Sequence, residues 1–258
     1  MIGYTSNTYF LPSYNCDIMI STRKVRNVMY TDKSIIADCG VSVRYLAKTM
    51  VNEGVKGFEG LIDLPGTVAA SVYGNASCYG CSINQLLESF DILRPDGKME
   101  TLTPESLKIK KRSTALKRGK LAGVIISVRM RKEIGDKMAI MKKADTIHQM
   151  RKRTQPGPKD NLGSIYSGRE KWTLKGTILH VVAKGISTLV KPIKNINTTN
   201  IILYMMGHRE LIPYVWAWNR FIWKDEESHE LFWSFHQIHK KLFVNNDFEI
   251  IVKGSHVN

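Results

Sequence analysis

Residues 57–81 of the chain are Gly57-Phe58-Glu59-Gly60-Leu61-Ile62-Asp63-Leu64-Pro65-Gly66-Thr67-Val68-Ala69-Ala70-Ser71-Val72-Tyr73-Gly74-Asn75-Ala76-Ser77-Cys78-Tyr79-Gly80-Cys81. This stretch has five glycines and one proline, with small residues at most other positions. Glycine is used where the backbone needs a positive φ or where another group approaches closely. We interpret 65–68 as a tight turn followed by bare backbone N–H groups, on which a flat ligand could lie. The alternative is a glycine-rich loop that only connects two elements.

Composition limits the classes of protein that the chain can represent. Its 258 residues suffice for one large domain or two modest ones, and 43% of them are hydrophobic, enough for a buried core. No apolar run is as long as a membrane span, and the N-terminus lacks the basic and apolar regions of a signal peptide. We therefore expect a cytoplasmic protein that does not interact with membranes.

The four cysteines, Cys16, Cys39, Cys78 and Cys81, form no disulfide framework in a chain of this length. Cys78 and Cys81 have C-x-x-C spacing, but the sequence offers no second pair to complete a zinc site. We interpret them as small packing residues and expect no bound metal. A redox or metal role is the alternative.

The net charge of +15 indicates an anionic partner. Two basic clusters, over 108–120 and 142–153, suit either nucleic-acid phosphates or a small-molecule site that handles several anionic groups. Residues 108–120 contain none of the aromatic residues that nucleic-acid modules usually place among basic ones, and a solvated surface explains much of the excess. The charge alone does not decide, although we expect no nucleic acid.

Periodicity predicts a mixed order of strands and helices. We expect short strands over 18–20, 25–30 and 34–37, then a helix capped by Ser42 and closed by Gly54. A short helical turn over 82–87 and a hairpin around Pro95-Asp96-Gly97 follow. A strand over 122–131 should bury Val124, Ile126, Val128 and Met130. A helix that begins at Gly135-Asp136 should direct five apolar residues inward: Ile140, Met141, Ala144, Ile147 and Met150.

The C-terminal part is expected to add a helix over 177–190, an aromatic strand-like stretch over 216–223 and a helix capped by Asp225 or Ser228. His236 and His239 lie three residues apart on that last helix. We interpret them as surface residues, because no carboxylate or cysteine completes a metal site.

The glycine-rich stretch also carries a family resemblance. Pro65-Gly66-Thr67-Val68 followed by Asn75-Ala76-Ser77-Cys78-Tyr79-Gly80 resembles the PGTVGG…NAGAYG signature of the UDP-N-acetylenolpyruvoylglucosamine reductase (UDP-N-acetylmuramate dehydrogenase) family. Ala69-Ala70 and Cys81-Ser82 depart from the family pattern. In that family the loop packs on the isoalloxazine ring of FAD. The resemblance therefore implies FAD contacts by Pro65, Gly66, Thr67, Val68, Asn75, Tyr79 and Gly80.

The N-terminal residues resemble the family's Gly-x-Gly-Ser-Asn loop, which holds the FAD pyrophosphate. Gly3, Ser6 and Asn7 match it, Tyr4-Thr5 depart from it, and Gly40 completes the implied cofactor-binding set. In the family a strand–helix–strand unit precedes this loop, so we expect the FAD-binding part to be N-terminally incomplete. The alternative interpretation of residues 3–7 is a simple N-terminal turn.

The resemblance also implies catalytic residues. Segment 111–117 is similar to Tyr-Arg-x-Ser-x-Phe-Lys without its aromatics, which puts Arg112 on the active-site arginine and Thr114 on the serine. Ser164 falls on the serine that protonates substrate carbon, and Glu249 on the closing glutamate. Arg151 and Ser164 would bind substrate. Ser167-Gly168 replaces the family's Lys-Asn.

The implied fold class is α+β: a FAD-binding domain of the vanillyl-alcohol-oxidase/UDP-N-acetylmuramate dehydrogenase type over 1–133, and a smaller α+β substrate-binding domain over 134–258. The implied activity is FAD- and NADPH-dependent reduction of an enolpyruvyl UDP-sugar in peptidoglycan precursor synthesis, by a monomer. Ser164 would protonate carbon, while Arg112 and Glu249 would hold the substrate carboxylate and spread the developing charge. The alternatives are another FAD-dependent oxidoreductase of this fold, or a degenerate relative or basic binding module without catalysis.

Overall fold

The structure is a computed structural model, and it describes residues 1–155, 160–168, 170–190 and 197–254. Its strands in these ranges are β1 (Thr8–Phe10), β2 (Val28–Tyr30), β3 (Ser34–Asp38), β4 (Ser77–Cys78), β5 (Cys81–Ser82), β6 (Leu87–Leu93), β7 (Met99–Leu102), β8 (Val124–Arg131), β9 (Val215–Ala217), β10 (Arg220–Phe221) and β11 (Ile251–Lys253). Its α-helices there are α1 (Val43–Asn52), α2 (Val68–Tyr73), α3 (Ile83–Leu86), α4 (Lys137–Thr154), α5 (Leu174–Val190), α6 (Thr198–Met205) and α7 (Ser228–Leu242).

The chain divides into two compact units. The first unit comprises Met1–Thr5 and Cys16–Gln155, and the second comprises Ser6–Asn15 and Pro156–Asn258. The division differs from the predicted boundary at 133/134 in two places. Helix α4 stays with the first unit because Ile140 and Ala144 pack into its core. Segment 6–15 goes to the second unit because β1 pairs with β11 in parallel.

The first unit is built on a five-stranded antiparallel sheet in the order β2-β3-β8-β6-β7. The predicted hairpin and the strand over 122–131 are confirmed as β6–β7 and β8. The buried face of β8 differs from the prediction, since Ile125, Val128 and Met130 are buried instead of a strict alternation. The pairing of β6 with β8 shifts register between Asp91 and Ile92, and such an irregularity interrupts the two-residue period.

The helices of the first unit begin at the predicted caps. The Ser42 hydroxyl accepts the Tyr45 N–H at the start of α1, and Asp136 caps α4 by accepting the N–H groups of Met138 and Ala139. The predicted inward face of α4 is correct at Ile140, Ala144 and Ile147 but wrong at Met141 and Met150, which are exposed. The buried stripe is therefore narrower than the apolar pattern indicated.

The strand predicted over 18–20 is wrong, and the one predicted over 25–30 is confined to β2. Ile18 is 81% exposed, and the structure gives 18–20 no strand assignment. This segment instead lies beside the N-terminus: the Ile20 carbonyl accepts the Ile2 N–H, and Ile2 bridges Ser21. A short apolar run without a neighbouring strand gains too little burial to define a sheet edge.

The second unit has an aromatic core under α5, α6 and α7. Phe221, Phe232, Phe235 and Phe243 are each at most 1% exposed, and their rings contact one another and neighbouring tryptophans in edge and tilted geometries. The predicted helices are confirmed as α5 and α7, and the aromatic stretch forms the short antiparallel pair β9–β10. Strands of three and two residues suffice here because Val215 of β9 and Phe221 of β10 both pack into the core.

Among the described residues, no helix combines the length and apolar character needed to cross a membrane.

Candidate functional site

The first unit brings the N-terminal glycine, Gly40 and the 65–68 turn together. A Cβ on Gly3 would lie 2.7 Å from Thr67 Oγ1, and one on Gly40 would lie 2.0 Å from the Thr22 carbonyl oxygen. The Gly66 carbonyl accepts the Val43 N–H, and Gly66 has a φ of 115°, which favours glycine. Backbone segments that are far apart in sequence therefore approach directly at these glycines.

The N–H groups after the 65–68 turn are not bare, contrary to the sequence interpretation. Val68 donates to the Val41 carbonyl at 2.8 Å, Ala69 to the Cys39 carbonyl at 3.2 Å, and Ala70 to Thr67 Oγ1 at 3.4 Å. Thr67 and Val68 are also buried. These donors fasten the start of α2 to segment 39–43, so a ligand at this turn would meet a rigid surface whose first N–H groups are already paired.

Asn75 and Tyr79, two of the predicted cofactor contacts, have left-handed backbones. Their φ values are 47° and 48°, and Gly80 continues the β4–β5 turn at 80°. Non-glycine residues seldom adopt this region, and the cost is of order 1–3 kcal/mol each. A Cβ on Gly80 would meet nothing within 4 Å, so the tip of this turn is open to solvent.

Arg112 lies on a turn that is tied to Asn75. Lys110 and Ser113 exchange backbone hydrogen bonds, with Lys111 and Arg112 at the tip, where Arg112 has a φ of 54°. Asn75 Nδ2 donates to the Lys110 carbonyl at 2.8 Å. The buried Thr114 donates its hydroxyl to the Tyr73 carbonyl at 2.6 Å. The position that matches the family's serine therefore anchors the arginine turn.

A cavity of about 340 Å³ is lined by both Asn75 and Arg112, two of the predicted site residues. It is lined in part by Asn75, Ser82, Asn84, Lys111 and Arg112. Asn84 is 7% exposed, and its Oδ1 is buried without a hydrogen-bond partner among the described residues. A buried acceptor is normally satisfied. The cavity suits a ligand that brings negative charge to the Lys111–Arg112 tip.

Arg151, the predicted substrate residue near the end of α4, faces the β4–β5 hairpin. Its Nη1 donates to Cys78 Sγ at 3.1 Å, and its guanidinium lies 5.8 Å from the Tyr79 ring centroid. One turn earlier, His148 Nδ1 lies 2.7 Å from Asp63 Oδ2. These contacts hold the C-terminal end of α4 against the glycine-rich stretch, so Arg151 and Tyr79 are brought together.

The second unit holds Ser164 through an arginine that the sequence did not predict. Arg220 Nη1 donates to Ser164 Oγ at 2.7 Å and to the Asn219 carbonyl at 2.9 Å. The neighbouring Asn219 side chain accepts the Tyr166 N–H at 2.6 Å and donates to the Tyr166 carbonyl at 3.0 Å. The β9–β10 hairpin thus fixes both the serine hydroxyl and the backbone two residues after it.

Glu249 and Asn7 lie on the other side of the same segment. The Glu249 N–H donates to the Ile165 carbonyl at 2.7 Å, and Asn7 Nδ2 donates to the Glu249 carbonyl at 3.2 Å. The Asn7 carbonyl accepts the Ile251 N–H as β11 begins. The second unit therefore brings together Ser164, Glu249 and Asn7, with the predicted Ser6 in the half-buried turn before β1.

Tyr166, the residue after Ile165, contacts two of the three histidines of α7, His236 and His239. Tyr166 donates or accepts a hydrogen bond with His236 Nδ1 at 3.0 Å and stacks on His239 with ring centroids 3.7 Å apart. The surface assignment of these histidines is wrong, because His236 is 5% and His239 1% exposed. Burial lowers the pKa of both from 6.5 to about 4, so they are neutral near pH 7. They support the serine segment as packing residues.

The predicted residues therefore form two groups, one in each unit. The first unit holds Gly3, Gly40, 65–68, Asn75, Tyr79, Gly80, Arg112 and Arg151, and the second holds Ser6, Asn7, Ser164 and Glu249. The predictions missed Lys111, Asn84, Asn219 and Arg220. The sequence did contain a signal for Asn219 and Arg220, since these two polar residues stand between the aromatic Trp218 and Phe221. Polar side chains next to core aromatics need hydrogen-bond partners inside the protein.

Comparison with known proteins confirms the resemblance. Residues 1–103 match the FAD binding domain family. The chain is 32% identical over 154 residues to UDP-N-acetylenolpyruvoylglucosamine reductase of Bacillus pumilus (strain SAFR-032), which covers 56% of this chain and 50% of that protein. It is 26% identical over 166 residues to the same enzyme of Streptococcus pneumoniae (strain Hungary19A-6), and that match covers 64% of this chain and 54% of that protein. The chain thus spans about half the length of these relatives.

The fold is also similar to that of a solved structure. The crystal structure of UDP-N-acetylenolpyruvylglucosamine reductase (MurB) from Thermus caldophilus superposes with a TM-score of 0.67 at 17% sequence identity. The match covers 96% of this chain and 83% of that one. The predicted α+β fold class, with a domain of the FAD-binding type, is confirmed.

Proposed function

We propose that the chain is a flavin-dependent reductase of an enolpyruvyl UDP-sugar, with NADPH as the electron donor. The observation that carries this proposal is the fixed hydroxyl of Ser164, 2.7 Å from Arg220 Nη1, on a segment hydrogen-bonded to Glu249. Support comes from the FAD binding domain match over 1–103 and from the reductases that the chain resembles. Because both a nucleotide sugar and NADPH are cytoplasmic metabolites, we propose that the reaction takes place in the cytoplasm.

The donor set of the first unit fits part of a flavin. Ser77 and Gln85 line the cavity, and a hydroxyl and an amide N–H are the donors that the two carbonyl acceptors of the ring's pyrimidine edge require. Asn75, Tyr79 and the 65–68 surface would hold the cofactor. When bound, FAD would supply the hydride.

Ser164 would donate the proton that the substrate carbon needs after reduction. The Arg220 guanidinium keeps the Ser164 oxygen in one position and favours negative charge on it as the proton leaves. Neither effect requires movement of the backbone, because Asn219 and Glu249 fix the segment from both sides. A preorganised donor of this kind lowers the barrier without reorganisation during the reaction.

Arg112 would bind the substrate carboxylate from the tip of its strained turn, where its φ is 54°. Glu249 carries the same negative charge as that carboxylate, so we do not assign it to carboxylate binding. The net charge of +15 suits three anionic ligands: FAD, NADPH and a diphosphate-bearing sugar.

A second candidate, another FAD-dependent oxidoreductase of this fold, is favoured by Ser167-Gly168. The Ser167 N–H donates to the Asp247 carbonyl at 2.8 Å, and the Ser167 carbonyl accepts Asn245 Nδ2. A Cβ on Gly168 would lie 2.8 Å from that same amide nitrogen. The residues that replace the family's Lys-Asn are thus bound to the 245–247 loop, and the substrate at this end could differ.

The experiment is purification of the full chain with added FAD, followed by gel filtration and a visible absorption spectrum. We expect a yellow protein that oxidises NADPH only when the enolpyruvyl UDP-sugar is present. NADPH oxidation with oxygen or a quinone but not with the UDP-sugar would support the second candidate. A colourless protein that takes up no FAD would reject both.

A further inference from the structure

Cys78 and Cys81 lie directly opposite each other in the β4–β5 hairpin. Their pairing register is Cys78↔Cys81, and Tyr79 and Gly80 form the two-residue turn between them. Directly opposed residues of an antiparallel pair have Cα atoms roughly 4.5–5.5 Å apart and side chains on one face. Disulfides join cysteines whose Cα atoms are about 4.4–6.8 Å apart. The hairpin therefore already holds both backbones at disulfide spacing.

Gly60 lies against the hairpin at both cysteines. A Cβ on Gly60 would lie 2.9 Å from Cys81 Cβ, 3.0 Å from Cys81 Sγ and 2.3 Å from the Cys78 carbonyl oxygen. The Gly60 N–H donates to Cys81 Sγ at 3.2 Å. The hairpin thus rests on the backbone of Gly60 at both cysteines, and a bulkier residue there would push them away.

Cys78 is the more reactive thiol by its surroundings. It is half-buried, and Arg151 Nη1 donates to its sulfur at 3.1 Å. A guanidinium beside a cysteine favours the thiolate, which is the form that peroxide oxidises. Cys16, by contrast, is an exposed cysteine with no guanidinium contact in the described hydrogen bonds.

Cys81 has the features of a resolving thiol. It is 6% exposed, and burial raises the pKa of its thiol, so it remains protonated and protected from direct oxidation. Its Sγ lies 3.8 Å from Glu59 Oε2, and Glu59 in turn is 3.6 Å from Lys143 Nζ. A carboxylate is therefore beside the proton that Cys81 must lose when it attacks.

We propose that Cys78 and Cys81 form a reversible dithiol–disulfide pair that hydrogen peroxide oxidises. The Cys78 thiolate attacks one peroxide oxygen, the O–O bond breaks, and hydroxide leaves to give a sulfenic acid. Cys81 then attacks the Cys78 sulfur: the S–S bond forms, the S–O bond breaks, and the Cys81 proton passes by way of Glu59 to the departing oxygen as water. Two thiols and one peroxide yield one disulfide and two waters, and an external dithiol reverses the oxidation.

The test uses the full chain treated with one equivalent of hydrogen peroxide, blocked with N-ethylmaleimide and digested with trypsin. Both cysteines lie in one tryptic peptide, residues 57–98, which retains its internal disulfide. We expect that peptide without labels and two hydrogen masses lighter, while the Cys16 peptide carries its label. Dithiothreitol should restore two labels. Two labels after peroxide, or oxidation of Cys16 at an equal rate, would overturn the proposal.

Variants separate the two thiols. Cys81→Ser should stop at a Cys78 sulfenic acid that dimedone traps, whereas Cys78→Ser should leave Cys81 labelled by N-ethylmaleimide after denaturation. Arg151→Gln should slow pair oxidation about tenfold, since the guanidinium no longer favours the thiolate. Lys152→Gln removes one charge from the same helix and should leave the rate unchanged. Equal rates in Arg151→Gln and the parent would reject the role of Arg151. No step needs flavin or UDP-sugar, so the outcome is independent of the reductase assay.

Discussion

The two units hold their candidate residues by opposite means. In the first unit, Asn75, Tyr79 and Arg112 lie on short turns with φ values of 47°, 48° and 54°. In the second unit, Ser164 and Glu249 lie outside the helices and strands, and Tyr166, two residues after the serine, packs into a core of stacked rings. Strained turns present groups at positions that regular elements cannot reach. A ring-packed segment gives less reach but a single, well-fixed geometry.

The difference suits the proposed division of work. A flat cofactor and a carboxylate need contacts from several directions, which turns provide. A proton donor must remain within a fraction of an ångström of one atom, which packing and paired hydrogen bonds provide. The comparison can be tested by perturbing each kind of support in turn.

The largest effect is expected from Ser164→Ala in the second unit. Loss of a positioned general acid typically lowers turnover by about 10²–10⁴-fold. FAD content should not change, because Ser164 is proposed to act on the substrate carbon and is not among the predicted FAD contacts. Steady-state NADPH oxidation and the flavin spectrum measure the two quantities, with Ser106→Ala as a serine control in the first unit. Full turnover in Ser164→Ala would remove the serine from the mechanism.

The aromatic core is tested by Phe235→Ala, which deletes a ring that is 0% exposed. We expect the free energy of unfolding to fall by about 3–5 kcal/mol, from lost burial and the cavity left behind. All five tryptophans (Trp172, Trp216, Trp218, Trp223 and Trp233) belong to the second unit, so their fluorescence in urea reports it directly. Tyr204→Ala, at a ring that is 54% exposed, should cost less than about 1 kcal/mol. Equal losses would contradict a core-dependent site.

Acid should weaken the second unit through its buried histidines. The pKa values of His236 and His239 fall from 6.5 in the unfolded chain to about 4 in the folded one. The contribution of these two neutral histidines to the free energy of unfolding is therefore fully present above pH 6.5. It is lost as the pH falls towards 4, by at most about 1.4 kcal/mol per pH unit for each histidine.

The measurement is the urea midpoint of tryptophan fluorescence between about pH 7 and pH 4. His239→Gln should flatten the pH dependence, because it removes one of the two groups whose pKa burial lowers. An unaltered slope in His239→Gln would assign acid sensitivity to other groups.

The smallest effect is expected from Tyr79→Asn in the first unit. Asparagine tolerates a φ of 48° better than tyrosine, so stability should change by less than about 1 kcal/mol in spite of the lost ring. FAD affinity should nevertheless decrease, because the ring beside Arg151 is removed. Circular dichroism melting measures the stability, and FAD titration measures the affinity. Tyr79→Phe serves as the control, because it keeps the aromatic ring and the backbone conformation. Unchanged FAD affinity would remove Tyr79 from the cofactor contacts.

Much of the fold followed from local patterns, because the signals were local. Ser42, Asp136 and Pro95-Asp96-Gly97 fix caps and a turn through their own side chains, and the structure has them as predicted. Helix α5 and helix α7 followed from apolar periodicity. The strand expected over 18–20 failed because three apolar residues specify a strand only if a partner strand lies beside them.

The site was less predictable, because its contacts join distant segments. Arg220 reaches Ser164 across 56 residues, and Asn7 reaches Glu249 across 242. No periodicity encodes such pairs. The N–H groups after Gly66 looked bare for the same reason, since their acceptors, Cys39 and Val41, belong to a segment more than twenty residues earlier. The resemblance supplied Ser164 and Glu249 but not the arginine that positions the serine.

The pairing of β1 with β11 has a consequence for how the protein is made. Residues 8–10 leave the ribosome well before residues 251–253, with which they pair. The first unit can collapse once Gln155 has emerged, while β1 must stay unpaired until β11 has also emerged. Closing so long a loop is slow compared with local folding, which leaves β1 exposed to other strands in the interval. A chaperone that shields segment 8–10 during synthesis would therefore raise the yield of correctly folded chains more than one acting after release.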